Sequence, residues 1–264
     1  MSLGTEVAAQ LPFLRRYARA LTGSQESGDA FVKAVLEAVL EDEELKASLQ
    51  QGRVALYRAF NAIWSGTHVE VAPDPAPASE HEAAALDRLR AITPLSRQAL
   101  LLTTIEEFSP AQAGEIMGLS AGAVEDLVRD AIAEIDRESS TSVLIIEDEP
   151  LISMQLEDLV QSLGHEICGT AATRDQARAV VTDRMPGLVL ADIQLADGSS
   201  GLDAVDDIMA IANVPVIFIT AYPERLLTGC GKEPTYLVTK PFKETSVRAA
   251  ISQALFFGSS KPVE

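Results

Sequence analysis

Three short, wholly apolar runs constrain the second half of this chain more than any other feature. Val143–Ile146 leads into Glu147-Asp148, Leu188–Ala191 into Asp192, and Val216–Ile219 into Thr220. A strand with no polar alternation is buried on both faces, the environment of a parallel sheet covered by helices. Helical spacing fills the intervals, with Ile152, Leu156, Leu159 and Leu163, then Ala177, Val180 and Val181. A last strand leads into Lys240-Pro241. This alternation predicts a doubly wound α/β domain with a five-stranded parallel sheet over residues 142–258.

The first half reads as all-helical. Leu11, Leu14, Ala18 and Leu21 mark one helix, Phe31, Val35, Val39 and Leu40 a second, and Leu56, Phe60, Ile63 and Trp64 a third. Residues 65–83 carry Pro73, Pro75 and Pro77 among small and acidic residues. That composition predicts an extended linker between helical regions 1–64 and 84–138. Ser109-Pro110 has the form of an N-cap followed by a first-turn proline, and Gly118 marks a tight turn. Val124, Leu127, Val128, Ala131 and Ile135 then make an apolar stripe. The outline is a helix-turn-helix, and equally that of a helical hairpin that enters no groove.

Composition excludes several classes of function. With 21 basic and 39 acidic residues the chain carries a net charge of −18, a poor match for nucleic-acid phosphates. Both halves contribute, with 12 basic against 22 acidic residues through position 140 and 9 against 17 beyond it. Two cysteines, Cys168 and Cys230, cannot build a disulfide framework or a four-thiolate zinc site. His68, His81 and His165 lie far apart, which disfavours a histidine metal site. The cysteines, His165 and Trp64 are expected to pack. No apolar run reaches membrane length and no signal-peptide pattern opens the sequence, so a cytoplasmic location is expected.

In an open α/β sheet, ligands bind beyond the carboxyl ends of the strands. That rim would gather Glu147, Asp148, Asp192, Thr220 and Lys240. Each alone has a plain structural reading. An Asp after a strand is a common turn residue, Glu147-Asp148 can cap the next helix, and Lys240 can be a surface lysine. Together, three carboxylates repel one another unless a cation lies among them, and a hard divalent ion with oxygen ligands such as Mg²⁺ fits. A carboxylate so placed can be a nucleophile toward phosphorus. The ammonium and hydroxyl would then hold phosphoryl oxygens.

The segments VLIIEDEP (143–150), LVLADIQLADGSSG (188–201), VIFITAYPE (216–224) and TKPF (239–242) resemble, in order, the four signature segments of bacterial response-regulator receiver domains, which are flavodoxin-like. The resemblance implies Asp192 as phosphoacceptor. It implies Mg²⁺ held by Asp192, Asp148 and the backbone carbonyl of Gln194, with Glu147 assisting through water. Thr220 and Lys240 would be the switch pair, and a sensor histidine kinase or phosphotransfer protein the phosphoryl donor. Two features depart from the pattern. Many receivers carry an aromatic residue three positions before the lysine, where this chain has Leu237 with Tyr236 beside it. Between Tyr222 and Thr235, Gly229-Cys230-Gly231 leaves room for only a short helix around Arg225–Leu227, because each glycine weakens a helix by about 1 kcal/mol.

The helical half has its own resemblance. LPFLRRYARALTGSQESGDAFVKAVLEAVL (11–40) is similar to the start of region 2 of an extracytoplasmic-function sigma factor. LDRLRAITPLSRQALLLTTIEEFSPAQAGEIMGLSAGAVEDLVRDAIAEID (86–136) is similar to region 4. Its DNA-facing helix departs in charge. From Gly122 to Glu138 it holds Arg129 and Arg137 against Glu125, Asp126, Asp130, Glu134, Asp136 and Glu138. A reader of base edges needs Arg, Lys, Asn or Gln there.

A sigma-like domain placed ahead of a receiver resembles the PhyR family of general stress response regulators. What that implies is an anti-anti-sigma factor. Phosphorylation of Asp192 releases the sigma-like domain, which sequesters an anti-sigma factor of the NepR type and frees a sigma factor. Neither direct DNA binding nor a membrane partner is expected. A basic partner would be steered by Glu41-Asp42-Glu43-Glu44, a run that also reads as a solvated helix end. The alternative is a receiver-controlled sigma factor or DNA-binding transcriptional regulator. A third reading, a phosphatase with an Asp nucleophile, lacks an acid/base residue two positions after Asp192, where Gln194 stands. An enzyme is therefore not expected.

Overall fold

The computed structural model describes residues 3–69, 94–135, 140–195, 198, 200–211, 214–228 and 233–258. The proline-rich stretch 70–83 with His81, the helix-end residues Asp136, Arg137 and Glu138, and Gly229-Cys230-Gly231 lie outside them. The chain divides into two compact units, residues 1–131 and 132–264.

In the first unit, α1 (Leu3–Thr22), α2 (Gln25–Glu41), α3 (Glu43–Ser48) and α4 (Arg53–Val69) precede α5 (Leu95–Thr104), α6 (Pro110–Met117) and most of α7 (Ala121–Ile135), whose last residues from Ile132 on fall in the second. Leu14, Ala18 and Leu21 of α1 are buried as their spacing predicts, with Leu56, Phe60 and Trp64 of α4. Aromatic rings fill the space between. Phe31 meets Trp64 edge-on at 4.9 Å, and Tyr17 meets Tyr57 at 5.4 Å and Phe60 at 5.7 Å. Helices α1 and α2 approach so closely at Gly28 that a Cβ there would lie 2.6 Å from the Arg19 amide nitrogen.

Two details differ from the sequence reading. Helix α4 continues to Val69, past the expected boundary at residue 64. Leu40 is 76% exposed. The inward face of α2 is set by Val32, Val35 and Val39, and one residue further turns about 100° away from it. Asp42 does local work, because its side chain accepts from the Glu44 and Leu45 amides and caps α3.

The α6–α7 pair has the caps that its sequence promised. Ser109 accepts from the Gln112 amide while Gln112 accepts from the Ser109 amide, a capping box. Gly118 closes α6 in the left-handed conformation at φ 70°. Val124, Ala131 and Ile135 of α7 are buried.

The second unit holds β1 (Ser142–Ile146), α8 (Pro150–Ser162), β2 (Glu166–Ala171), α9 (Arg174–Asp183), β3 (Leu188–Ala191), α10 (Gly201–Met209), β4 (Val216–Thr220), β5 (Tyr236–Thr239) and α11 (Glu244–Gly258). The sheet is parallel, in the order β2-β1-β3-β4-β5. Leu144, Ile146, Val189, Ala191, Phe218 and Leu237 build the core of one face with residues of α9 and α10. Helices α8 and α11 pack on the strands as well, α8 at β1 and β2 and α11 at β4 and β5. Between β4 and β5 the described residues form a single 3-10 turn, Pro223–Arg225, followed by buried Leu226 and Leu227. His165 is buried ahead of β2, and its Nδ1 accepts from the Thr141 amide at 3.4 Å.

Candidate functional site

The strand order reverses between β1 and β3, and their carboxyl ends bring the acidic residues together. Ligand oxygens of Glu147, Asp148 and Asp192 all lie within 4.8 Å of one another. Glu147 and Asp192 are buried, and Asp148 is half-buried. Lys240 reaches in from the end of β5. Its Nζ donates to Glu147 Oε2 and to Asp192 Oδ2, both at 2.7 Å. The lysine's position is set by its backbone. Its amide donates to the Thr220 carbonyl at 2.8 Å and extends the β4–β5 ladder by one residue, and the following Lys240–Pro241 bond is cis.

The remaining Asp192 oxygen is oriented by main chain. Oδ1 accepts from the Ile193 amide at 2.6 Å and the Gln194 amide at 3.3 Å. Gln194 pairs in a bridge with Ser200, and Ser200 in turn caps α10 through the Leu202 amide. This doubling back brings Gly201 against the acid. A Cβ at Gly201 would lie 1.7 Å from the Asp192 carbonyl oxygen, so no larger residue fits without backbone movement. Thr220 is wholly buried at the end of β4, and its Oγ1 accepts from the Tyr222 amide at 3.2 Å.

The charges are unbalanced. Burial penalises the Glu147 carboxylate more than the hydrogen bond from Lys240 favours it, and its pKa is raised. Burial also opposes the Lys240 ammonium, but hydrogen bonds to Asp192 and Glu147 outweigh it and hold the pKa above the usual lysine range. One ammonium thus serves an all-oxygen donor set of three carboxylates. That set suits a hard divalent cation, which would offset what Lys240 leaves uncompensated.

The structure gathers Glu147, Asp148, Asp192 and Lys240 tightly, and places Thr220 at the end of the adjoining strand. Two contributors were not read from sequence. Glu149 Oε1 lies 3.7 Å from Lys240 Nζ, and its position two residues after Glu147 was the available signal. Gly201 is the other, because its role depends on a close approach that spacing does not reveal. Tyr236 and Leu237 are both buried, and the Tyr236 hydroxyl lies 3.5 Å from the Gln253 carbonyl. Leu237 belongs to the core cluster that includes Leu226 and Leu227.

In the helical unit, the outer face of α7 exposes Glu125, Asp126, Asp130 and Glu134. Arg129 is exposed there too, and is paired with Asp126 at 2.8 Å.

This fold and site define a response-regulator receiver domain, here preceded by a helical sigma-like half. Comparisons agree along the whole chain. The pattern described as the Sigma2 domain of PhyR matches residues 7–61, the sigma-like domain of response regulator PhyR matches 89–138, and the response regulator receiver domain matches 143–252. The phyllosphere-induced regulator PhyR of Methylorubrum extorquens is 50% identical over 261 residues, covering 98% of this chain and 97% of that protein. The crystal structure of PhyR from Brucella abortus is similar with a TM-score of 0.85 at 47% identity, covering 98% and 96% of the two chains. That of the anti-anti-sigma factor PhyR from Bartonella quintana scores 0.84 at 46% identity, covering 98% and 97%. The chain belongs to the PhyR family of response regulators. Among the described residues no helix is long and apolar enough to cross a membrane.

Proposed function

We propose that this chain is a phosphorylation-activated anti-anti-sigma factor in which Asp192 is the phosphoacceptor. An Asp192 carboxylate oxygen attacks the phosphorus of a phosphohistidine on a sensor kinase or phosphotransfer protein. The P–N bond breaks and the phosphoryl group stays on Asp192. Lys240, 2.7 Å from Asp192 Oδ2, then neutralises phosphoryl oxygens, and the Thr220 hydroxyl turns from the Tyr222 amide to donate to one. Asp148, Asp192 and the Gln194 carbonyl would hold Mg²⁺, with Glu147 assisting. The bound ion supplies charge neutralisation at the transferring phosphoryl group. A single self-modification and its hydrolysis is no turnover of an outside substrate, so no enzyme activity is proposed.

Modification frees the sigma-like half, residues 1–64 and 84–138, for capture of an anti-sigma factor of the NepR type. A sigma factor is thereby released for the general stress response, and the whole exchange is assigned to the cytoplasm. The single observation that carries the decoy reading is the acidic outer face of α7. Its exposed acids would be repelled by promoter phosphates, and its arginine is already paired.

The test is a pull-down with the full chain as bait, with and without Mg²⁺ and beryllofluoride, a mimic of the Asp192 phosphate. A small anti-sigma protein retained chiefly with beryllofluoride is the expected result. Retention of core polymerase instead would make the chain a working sigma factor.

A further inference from the structure

The helical unit contains a buried charge cluster that the phosphorylation chemistry does not use. Glu106 lies at the corner between α5 and α6 with its side chain fully enclosed. Its Oε1 accepts from Arg16 Nε at 3.0 Å and Nη2 at 2.8 Å. Its Oε2 accepts from Arg53 Nη2 at 2.5 Å and the Tyr57 hydroxyl at 2.7 Å. The same arginines hold the corner's main chain, Arg53 through the Glu106 carbonyl at 2.8 Å and Arg16 through the Ile105 carbonyl at 3.1 Å. Arg53 also covers the Phe108 ring at 4.3 Å, and Tyr57 meets that ring edge-on at 4.9 Å. Between them Glu107 has φ 55°, a left-handed conformation rare for a side chain of this kind. Such a conformation persists where its surroundings over-determine it.

Arg16 belongs to α1, and Arg53 and Tyr57 to α4. Glu106 belongs to the corner that opens the helix-turn-helix. The cluster therefore joins the region-2-like helices to the region-4-like pair through directional bonds. An apolar corner of the same volume would hold as well or better, because buried charges are expensive to desolvate. What directional bonds add is a unique geometry. A partner that grips two loosely tethered regions must order them as it binds, whereas a fixed pair avoids that loss.

We propose that Glu106 is a positioning residue that fixes the two sigma-like regions in one mutual geometry, so that the anti-sigma partner meets a single preformed surface. The proposal rests on the decoy reading above. Its test uses the full-length chain with Mg²⁺ and beryllofluoride, comparing wild type, Glu106→Gln and Tyr57→Phe. Three readouts are taken: affinity for a purified NepR-type anti-sigma factor, amide exchange at the corner, and native emission of Trp64, the sole tryptophan. The Glu106 and Phe108 amides, bonded to the Leu101 and Leu102 carbonyls, report the corner. Trp64, packed on Phe31, reports the region-2-like core.

Glu106→Gln is expected to exchange at the corner at least tenfold faster and to bind at least tenfold more weakly, with Trp64 emission unchanged. Tyr57→Phe is expected to lose about twofold to threefold in affinity. Unchanged corner exchange, or a loosened corner with wild-type affinity, would overturn the proposal. So would a shift of Trp64 emission alongside the lost affinity, since that would mark general unfolding. Failure of the wild-type chain itself to bind would refute the decoy reading, and the role given to Glu106 with it.

Discussion

At the strand ends one ammonium, Lys240, stands beside Glu147, Asp192 and Glu149, with Asp148 close by; in the helical unit two guanidiniums and a phenol close on one carboxylate, Glu106. Both clusters are assembled from residues distant in sequence, and both contain short charge-assisted hydrogen bonds. They differ in the sign of their surplus charge and in closure. The receiver cluster has surplus negative charge, half-buried Asp148 and a raised Glu147 pKa, the marks of a pocket that a cation and a phosphoryl group can complete. At Glu106 both carboxylate oxygens accept from donors, two guanidiniums outnumber the one carboxylate, and Arg53 Nε is buried without a hydrogen-bond partner. Burial and the Glu106 charge raise the Tyr57 phenol pKa well above its ordinary value, which favours the donating, protonated hydroxyl. A carboxylate-rich cluster is poised for chemistry, and one whose carboxylate is held on both oxygens fixes shape.

The sharpest break of this contrast is Asp192→Asn. It is expected to abolish alkali-labile phosphoryl incorporation from a small-molecule phosphodonor altogether, measured by phosphate-affinity electrophoresis. Next, Glu106→Leu strands the buried Arg16 guanidinium and the half-buried one of Arg53, and should destabilise the helical unit by about 3 kcal/mol or more, read from the denaturant midpoint of Trp64 fluorescence. Third, Gly201→Ala pushes on the Asp192 carbonyl. It should destabilise the receiver unit by about 1–3 kcal/mol and slow phosphorylation, checked by circular dichroism melting and the same electrophoresis.

Glu147→Gln sharpens the contrast from the other side. It removes a buried charge that burial already disfavours, so receiver stability should hold or rise, while Mg²⁺ affinity measured by calorimetry falls. The smallest effect is at Asp29. Burial raises its pKa, but hydrogen bonds from Arg19 and Arg15 more than offset this and leave it lowered. Stability from a depressed carboxylate is present above its unfolded pKa and is lost as pH falls through the folded one. Between about pH 4 and pH 3 the Trp64 melting midpoint should drop, and Asp29→Asn should flatten that drop. Asp29 is partly exposed, so the difference should stay below about 1 kcal/mol.

The receiver site was largely legible in sequence, because strand ends converge by topology and three apolar runs announce where they lie. Glu147, Asp148, Asp192 and Lys240 follow from that rule alone. What escaped depends on contacts that spacing does not encode. Arg16, Arg53, Tyr57 and Glu106 each look like an ordinary helical residue, and only tertiary packing shows that they meet. Gly201 reads as a turn glycine until its approach to the Asp192 carbonyl is seen. Leu40 misled because an apolar pair, Val39-Leu40, occupies adjacent positions on a helix and only one of them can face inward. A short helix was expected around Arg225–Leu227, whereas the turn after β4 spans Pro223–Arg225, where Pro223 starts it two residues earlier. The burial of Leu226 and Leu227 against Leu237 was not anticipated, since loop residues carry no periodicity.

On the proposed function, modification at Asp192 and capture of the anti-sigma partner favour the same state, so each strengthens the other. If the inactive form outnumbers the active one by about 99 to 1, reversing that ratio takes about 5.5 kcal/mol. A phosphate with about two charges supplies only part of it. The direct measurement is the affinity of the full-length chain for a purified NepR-type anti-sigma factor by calorimetry, with Mg²⁺ throughout and with or without beryllofluoride. Beryllofluoride should raise the affinity at least tenfold, a gain that Asp192→Asn eliminates. Equal affinities in the two conditions would contradict the proposed function.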